Sequence, residues 1–206
     1  MIASVPSVPT IETDRLLLRQ PTERDVDAWT ELLTDPVVSR HLGPPMRDRE
    51  VVEAHVRTIL ERHAADGFGL LAIERKSDGR VIGRSGFLVW DRRTWAPTML
   101  REAGDAAEVE IGWTLARDCW GLGYATEAGS ACRDEGFSSL ERDRIAAIIQ
   151  PENDRSIAVA QRLGMEREQD LRTARGFDAQ LWVVRRPRNE SSAASSRTPS
   201  ARQATR

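Results

Sequence analysis

Apolar residues recur along this chain in two rhythms, one of period near 3.6 and one of period 2, and their alternation outlines the fold. Thr22 followed by Asp25 gives a capping-box-like start to a helix that runs through Leu33 and is stopped by Asp35-Pro36. Val52, Val56, Ile59 and His63 fall on one stripe and Glu53, Arg57 and Glu61 on another, which predicts a second helix from Asp48 to Ala65, closed by Gly67. Short apolar runs predict strands at Arg15 to Arg19, Phe68 to Arg75 and Arg80 to Trp90. The last two are joined across Asp78-Gly79, a hairpin signal. Residues 91–107 are polar and rich in Arg, Pro and Ala; a connection of that length is read as a candidate substrate flap.

From Glu108 the order becomes strand, glycine loop, helix, strand, helix, the signature of a parallel βαβ unit with a right-handed crossover. Val109, Ile111, Trp113 and Leu115 alternate with Glu108, Glu110, Gly112 and Thr114, so one strand face is apolar and the other carries two carboxylates. Ala125, Ala128 and Cys132 form a small-residue stripe suited to close helix packing. Ile145 to Ile149 is continuously apolar, as a buried parallel strand requires. Asn153 or Asp154 caps a last helix in which Ser156, Val159, Ala160 and Leu163 share a face and Gly164 supplies the C′ position. Leu181 to Val184 reads as a final strand. The sum is an α/β fold, a mixed sheet of about seven strands with four helices.

A length of 206 residues suits one domain with a substantial core. We divide it into a flexible N-terminus (1–12), a domain (13–187) and a tail (188–206) of Ser, Ala, Thr, Arg and Pro too poor in buriable surface to order itself. A hydrophobic fraction of 40% with 30% charged residues argues against the disordered and membrane classes, and a net charge of −2 gives no basic excess for nucleic acid. No stretch reaches the roughly 20 apolar residues of a membrane span, so neither a membrane nor a nucleic acid is expected as partner, and the expected location is cytoplasmic. Cys119 and Cys132 lack zinc-type spacing and are expected as free thiols; no metal is expected.

The candidate chemistry lies in the loop Trp120-Gly121-Leu122-Gly123-Tyr124-Ala125. Between a strand and a helix, its free backbone N–H groups and the positive end of the helix dipole make an anion site that glycine lets a phosphate approach. The lysine of a P-loop is missing, and Thr126 stands where a dinucleotide fingerprint needs Gly or Ala, although Glu152 roughly fits its ribose-binding acid. The segments Glu110 to Trp113, Arg117 to Ala128, Asn153 to Ser156 and Arg162 to Met165, with the opening Thr13 to Arg19, resemble the GNAT acetyltransferase superfamily. The likeness is strongest to the branch acting on ribosomal-protein N-termini and small amines. This resemblance implies a mostly antiparallel sheet with one splayed parallel pair, strands 109–115 and 145–150, that admits acetyl-CoA. Residues 120–125 would bind the coenzyme A diphosphate, the backbone at Leu115 and Arg117 the pantetheine arm, and Asn153 would sit at the splay. It implies an amine acceptor and a possible homodimer.

Acyl transfer requires a neutral amine, whose ordinary pKa is about 10.4, so the site must remove a proton directly or through water. Glu110 is the candidate base, with Glu108 of the same parity as the fallback, and strand N–H groups around Leu115 would stabilise the oxyanion. Many family members carry a tyrosine four residues before the glycine equivalent to Gly164, where this chain has Ala160. Ser156 then either serves the departing sulfur or helps to cap its helix. Cys119 has no histidine near it in sequence, which argues against a covalent acyl-cysteine. Trp29, Trp90 and Trp95 either line an acceptor pocket or fill the core. The acceptor itself is open among a protein N-terminus, an aminoglycoside-like amine, a polyamine and an amino acid, and the acyl group is acetyl or longer. The rival reading is a coenzyme A binding module that has lost catalysis.

Overall fold

The computed structural model describes residues 8–44 and 46–187. Nine strands form one sheet among these residues: β1 (Ile11–Glu12), β2 (Leu16–Arg19), β3 (Leu70–Arg75), β4 (Val81–Asp91), β5 (Ala96–Thr98), β6 (Ala107–Leu115), β7 (Arg144–Ile149), β8 (Glu166–Arg172) and β9 (Asp178–Arg185). Their order is β1-β2-β3-β4-β6-β7-β9-β8, with β5 added on β4. Six helices join them: α1 (Val26–Thr34), α2 (Pro36–Ser39), α3 (Arg49–Asp66), α4 (Leu100–Ala103), α5 (Tyr124–Ser138) and α6 (Asp154–Arg162). The four longer helices match the sequence expectation; α2 and α4 are single turns.

Every pairing is antiparallel except that of β6 with β7, which is parallel and only one pair long, Glu110 opposite Ala146. Beyond that pair the two strands separate toward Leu115. Along β6 the predicted alternation sorts the two faces. Val109, Ile111 and Leu115 join the large core with Ala128 and Cys132 of α5. Glu108, Glu110, Gly112 and Thr114 look to the opposite face, where α1 and α3 pack on Leu70, Ala72 and Leu88 through Val26, Trp29, Val52, Val56 and Ile59.

Helix α5 lies close to the sheet because its inner face is small. A Cβ on Gly136 would stand 2.4 Å from Ile145, and one on Gly129 would stand 2.9 Å from Leu163. The small-residue stripe read from Ala125, Ala128 and Cys132 therefore extends through two glycines that were not counted in it.

Several expectations need correction. Segment 91–107 is not a free flap: Ala96–Thr98 pairs with β4, the Asp66 carboxylate accepts from the Leu100 N–H at 3.1 Å, and Ala174 N–H donates to the Trp95 carbonyl at 3.1 Å. These bonds tie it to α3 at one end and to the β8–β9 hairpin at the other. In the segment 1–12, expected to be flexible, Ile11 and Glu12 pair with β2 and Val8 N–H donates to Gly67 O at 3.1 Å; residues 1–7 lie outside the described residues. The expected unordered tail, 188–206, lies outside them too. Strand β8 was not anticipated, because Glu-Arg-Glu-Gln-Asp-Leu-Arg has no apolar period.

Candidate functional site

The loop between β6 and α5 opens with a 3-10 turn, Arg117–Cys119, and ends at Gly123, the N-cap of α5. Gly121 (φ 77°) and Gly123 (φ 84°) both hold left-handed backbone, which side-chain-bearing residues disfavour. Glycine at the cap has no side chain to accept from the first-turn N–H groups, so those donors and the helix dipole stay available to an anion. The loop is braced from outside. Arg15 donates from Nη1 to the Leu122 carbonyl at 3.0 Å and from Nε to Glu127 at 2.7 Å, and its guanidinium lies 4.4 Å from the centre of the Tyr124 ring. Thr13 Oγ1 donates to the same Glu127 carboxylate at 2.6 Å. The opening segment Thr13 to Arg19 thus fixes the first turn of α5, a role its sequence alone did not suggest.

A cleft of ≈ 1250 Å³ lies where β6 and β7 part. It is lined by Leu115, Trp120, Gly121, Gly123, Tyr124, Ala125, Asn153 and Ser156, all expected at the site. Ala116 N–H donates to Ile82 O at 2.8 Å, so strand alternation turns the backbone of Leu115 away from β4 and toward this cleft. Its carbonyl is already in use, accepting from Trp120 Nε1–H at 2.8 Å. Arg155, which sequence reasoning did not single out, lies 4.4 Å from the Trp120 ring centre, and with Arg40 and Arg162 it brings positive charge to the cleft. Arg155 and Arg162, two turns apart, share one face of α6, whereas Arg40, at the end of α2, joins them only across the cleft.

Three expected residues, Glu110, Arg117 and Leu122, do not line this cleft. Arg117 lines a separate cleft of ≈ 810 Å³ beside Arg80 and Asp118, and its carbonyl accepts from Trp120 N–H within the turn. The Leu122 side chain points outward, 51% exposed. Asn153, rather than Asp154, caps α6: its Oδ1 accepts from Ser156 N–H at 3.2 Å. The Ser156 hydroxyl does not serve as the cap, and Ser156 lines the cleft. Ala160 is fully buried.

Glu110 sits on the opposite face of the sheet, at the point where the splay begins. It is 7% exposed. Its Oε1 accepts from the Ile148 N–H at 3.0 Å and its Oε2 from the Trp90 indole N–H. Burial pushes its carboxyl up to about 7, against the pull of those two hydrogen bonds. Glu108, on the same face, is engaged elsewhere, its carboxylate paired with Arg144 at 3.0 Å. Trp90 thus meets the site and Trp29 fills the α1–α3 core, while Trp95 packs over Ala146, Leu181 and Val183. Both cysteines are buried and free, and burial raises both thiols, Cys132 to about 12; neither is suited to attack a thioester.

Comparison with known proteins agrees with this fold. The acetyltransferase (GNAT) domain family matches residues 15–166. The chain is 32% identical over 164 residues to a Bacillus licheniformis protein named uncharacterized N-acetyltransferase p20, covering 79% of this chain and 85% of that one. An acetyltransferase from Agrobacterium tumefaciens superposes with a TM-score of 0.71 at 28% identity, covering 87% and 96% of the two chains. The same fold, at 17% identity and a TM-score of 0.69 over 85% of this chain and 97% of the other, occurs in the ribosomal L7/L12 α-N-protein acetyltransferase RimL in complex with coenzyme A. Among the described residues no helix is long and apolar enough to cross a membrane. By its family match, its curated relatives and its sheet with a single splayed parallel pair, this chain belongs to the GNAT acetyltransferase family.

Proposed function

We propose that the protein transfers an acyl group, acetyl first of all, from acetyl-CoA to a primary amine by direct attack in a ternary complex. The observation that carries this reading is the placement of Glu110. A buried carboxyl raised to about 7 stands at the seam from which the cleft opens, on the sheet face opposite the glycine loop.

The loop residues Trp120 to Ala125 would hold the diphosphate through backbone N–H groups, with Gly121 and Gly123 allowing close approach. The Leu115 N–H, on the cleft edge of β6, would pair with the pantetheine arm, and the amide of Asn153 stands across the splay. Arg117 would contribute only backbone to this arm. Bound acetyl-CoA supplies an activated thioester to the site. Glu110, ionised near neutrality, would take the proton of the incoming ammonium directly or through one water, which leaves a nucleophilic amine. The N–H groups of β6 around Leu115 would receive the negative charge that develops on the thioester oxygen. Ser156, which lines the cleft, would protonate or hydrogen-bond the departing sulfur; a thiol of ordinary pKa about 8.5 needs little help to leave.

The test is thermal unfolding with acetyl-CoA, coenzyme A and NAD, followed by thiol release against amines and N-terminal peptides. A ligand that binds only the folded state raises its stability. A shift with acetyl-CoA together with acceptor-dependent thiol release supports the transferase. A shift with no release from any acceptor favours a binding module, and no shift refutes the coenzyme A site.

A further inference from the structure

The face of the sheet that carries Glu110 also carries a group of arginines that acyl transfer does not use. Arg84 of β4 stands opposite Thr114, four residues along β6 from Glu110 and on the same face, so about 13 Å separates the two rows at ~3.3 Å per residue. Between them lies Gly112, paired with Gly86. A Cβ built on Gly112 meets nothing within 4 Å, so the floor is open on the β6 side, whereas one on Gly86 would stand 2.5 Å from the Gly69 carbonyl of the neighbouring chain segment.

Arg84 is 7% exposed, and its guanidinium lies 5.8 Å from the ring centre of Trp29, whose buried indole N–H has no partner. It donates one N–H to His55 Nε2. That imidazole is held neutral, at about 3, by burial first and then by the charges of Arg84, Arg62 and Arg175. Three arginines thus gather around one histidine, and among the described residues none of the three forms an ion pair. The carboxylate that acts on Arg62, Asp66, is engaged with the Leu100 N–H. Burial lowers Arg84 only to about 10, so it stays charged at neutral pH. A largely buried guanidinium whose other four N–H donors have no protein partner among the described residues is stabilised strongly by an incoming oxyanion, which it can grip bidentately.

We propose that the acceptor is a primary amine that also carries an oxyanion, a carboxylate or a phosphate, gripped by Arg84 across the open floor at Gly112 while its amine lies at Glu110. This rests on the transferase reading and narrows its substrate class. Arg175, exposed on the β8–β9 hairpin, would draw the anion in, and Arg84 would hold it.

The experiment is calorimetric titration of the coenzyme A-saturated protein with matched pairs: ω-amino acids of two to six carbons against the corresponding alkylamines, and O-phosphoethanolamine against ethanolamine. The expected result is that an anionic member binds at least about tenfold more tightly than its neutral partner, as one charge-assisted contact provides. The carboxylate and phosphate arms decide which oxyanion is taken. Arg84→Met should collapse that ratio toward one, and Arg175→Ala, an exposed change that leaves the core untouched, should reduce it. A purely structural Arg84 would leave the ratio unmoved. Equal binding of charged and neutral partners, no binding of any anionic member, or an undiminished ratio in a folded Arg84→Met and in Arg175→Ala overturns the proposal. Thiol release is read separately on the same compounds. Binding that persists without release counts against the transferase reading alone.

Discussion

Replacing Glu110 with glutamine probes the buried carboxyl in two independent ways. Its folded value is about 7 against an ordinary 4.5. Below about 4.5 the group is neutral in folded and unfolded chains alike and makes no difference to stability. Between the two values the unfolded chain gives up its proton first, so the folded state loses stability as pH rises. Above about 7 the loss is complete, at ~3 kcal/mol for a shift of that size. Glutamine does not ionise and escapes this loss. Its NH₂, however, cannot accept, so one of the two donors that now bind Glu110, Trp90 Nε1–H or Ile148 N–H, is left buried and unpaired at a cost of ~1–3 kcal/mol. The variant should therefore melt several degrees below wild type at pH 4.5 and draw level with it near pH 8. Differential scanning fluorimetry across that range reads the crossing. Thiol release should fall by ~10²–10⁴ with coenzyme A affinity unchanged, and the break near pH 7 in the wild-type rate profile should vanish. A melting difference that is flat with pH would refute the raised carboxyl, and full turnover in the variant would retire Glu110 as the base.

Three further substitutions examine the cleft. Gly123→Val forces a β-branched residue to φ 84° and brings a Cβ within 3.4 Å of Arg15; coenzyme A binding measured calorimetrically should weaken markedly, and unchanged affinity would remove the loop assignment. Arg15→Ala releases Glu127 and the Leu122 carbonyl. Because Arg15 is largely exposed, stability should fall by less than about 1 kcal/mol, whereas coenzyme A affinity should drop several-fold; equal affinity would mean that the brace does not shape the loop. Ser156→Ala removes a hydroxyl that is not the cap of its helix, so the melting temperature should hold within the error of the scan while turnover falls. Undiminished turnover would leave the sulfur without a protein proton donor.

The elements legible in the sequence are those whose pattern is enforced locally. Strand β6 was legible because one of its faces must be buried under α5, and α3 because Asp48 caps it and Gly67, at φ 78°, ends it. Strand β8 was illegible because it is an edge strand with both faces largely exposed. Its pairing with β9 is supported by cross-strand charges such as Arg172 with Asp178, which leave no apolar period to read. The glycine loop and Glu110 could be placed from sequence because each lies within a few residues of a strand end. The Arg84–His55 contact could not, because it joins positions 29 apart on a strand and a helix that only the sheet order brings together. The same holds for the brace from Arg15 to Glu127, 112 residues away.

The one-pair seam between β6 and β7 divides the backbone hydrogen-bond ladder into two blocks, β1 to β6 on one side and β7 to β9 on the other. Few main-chain bonds cross it; the fasteners are side chains, Glu110 to the Ile148 N–H and Glu108 to Arg144, with α5 packed over both sides. Cooperative units of opening tend to follow such boundaries. Amide exchange should therefore resolve two protection classes that meet at Glu110 and Ala146, and a ligand wedged into the splay would act as a rivet, merging them into one.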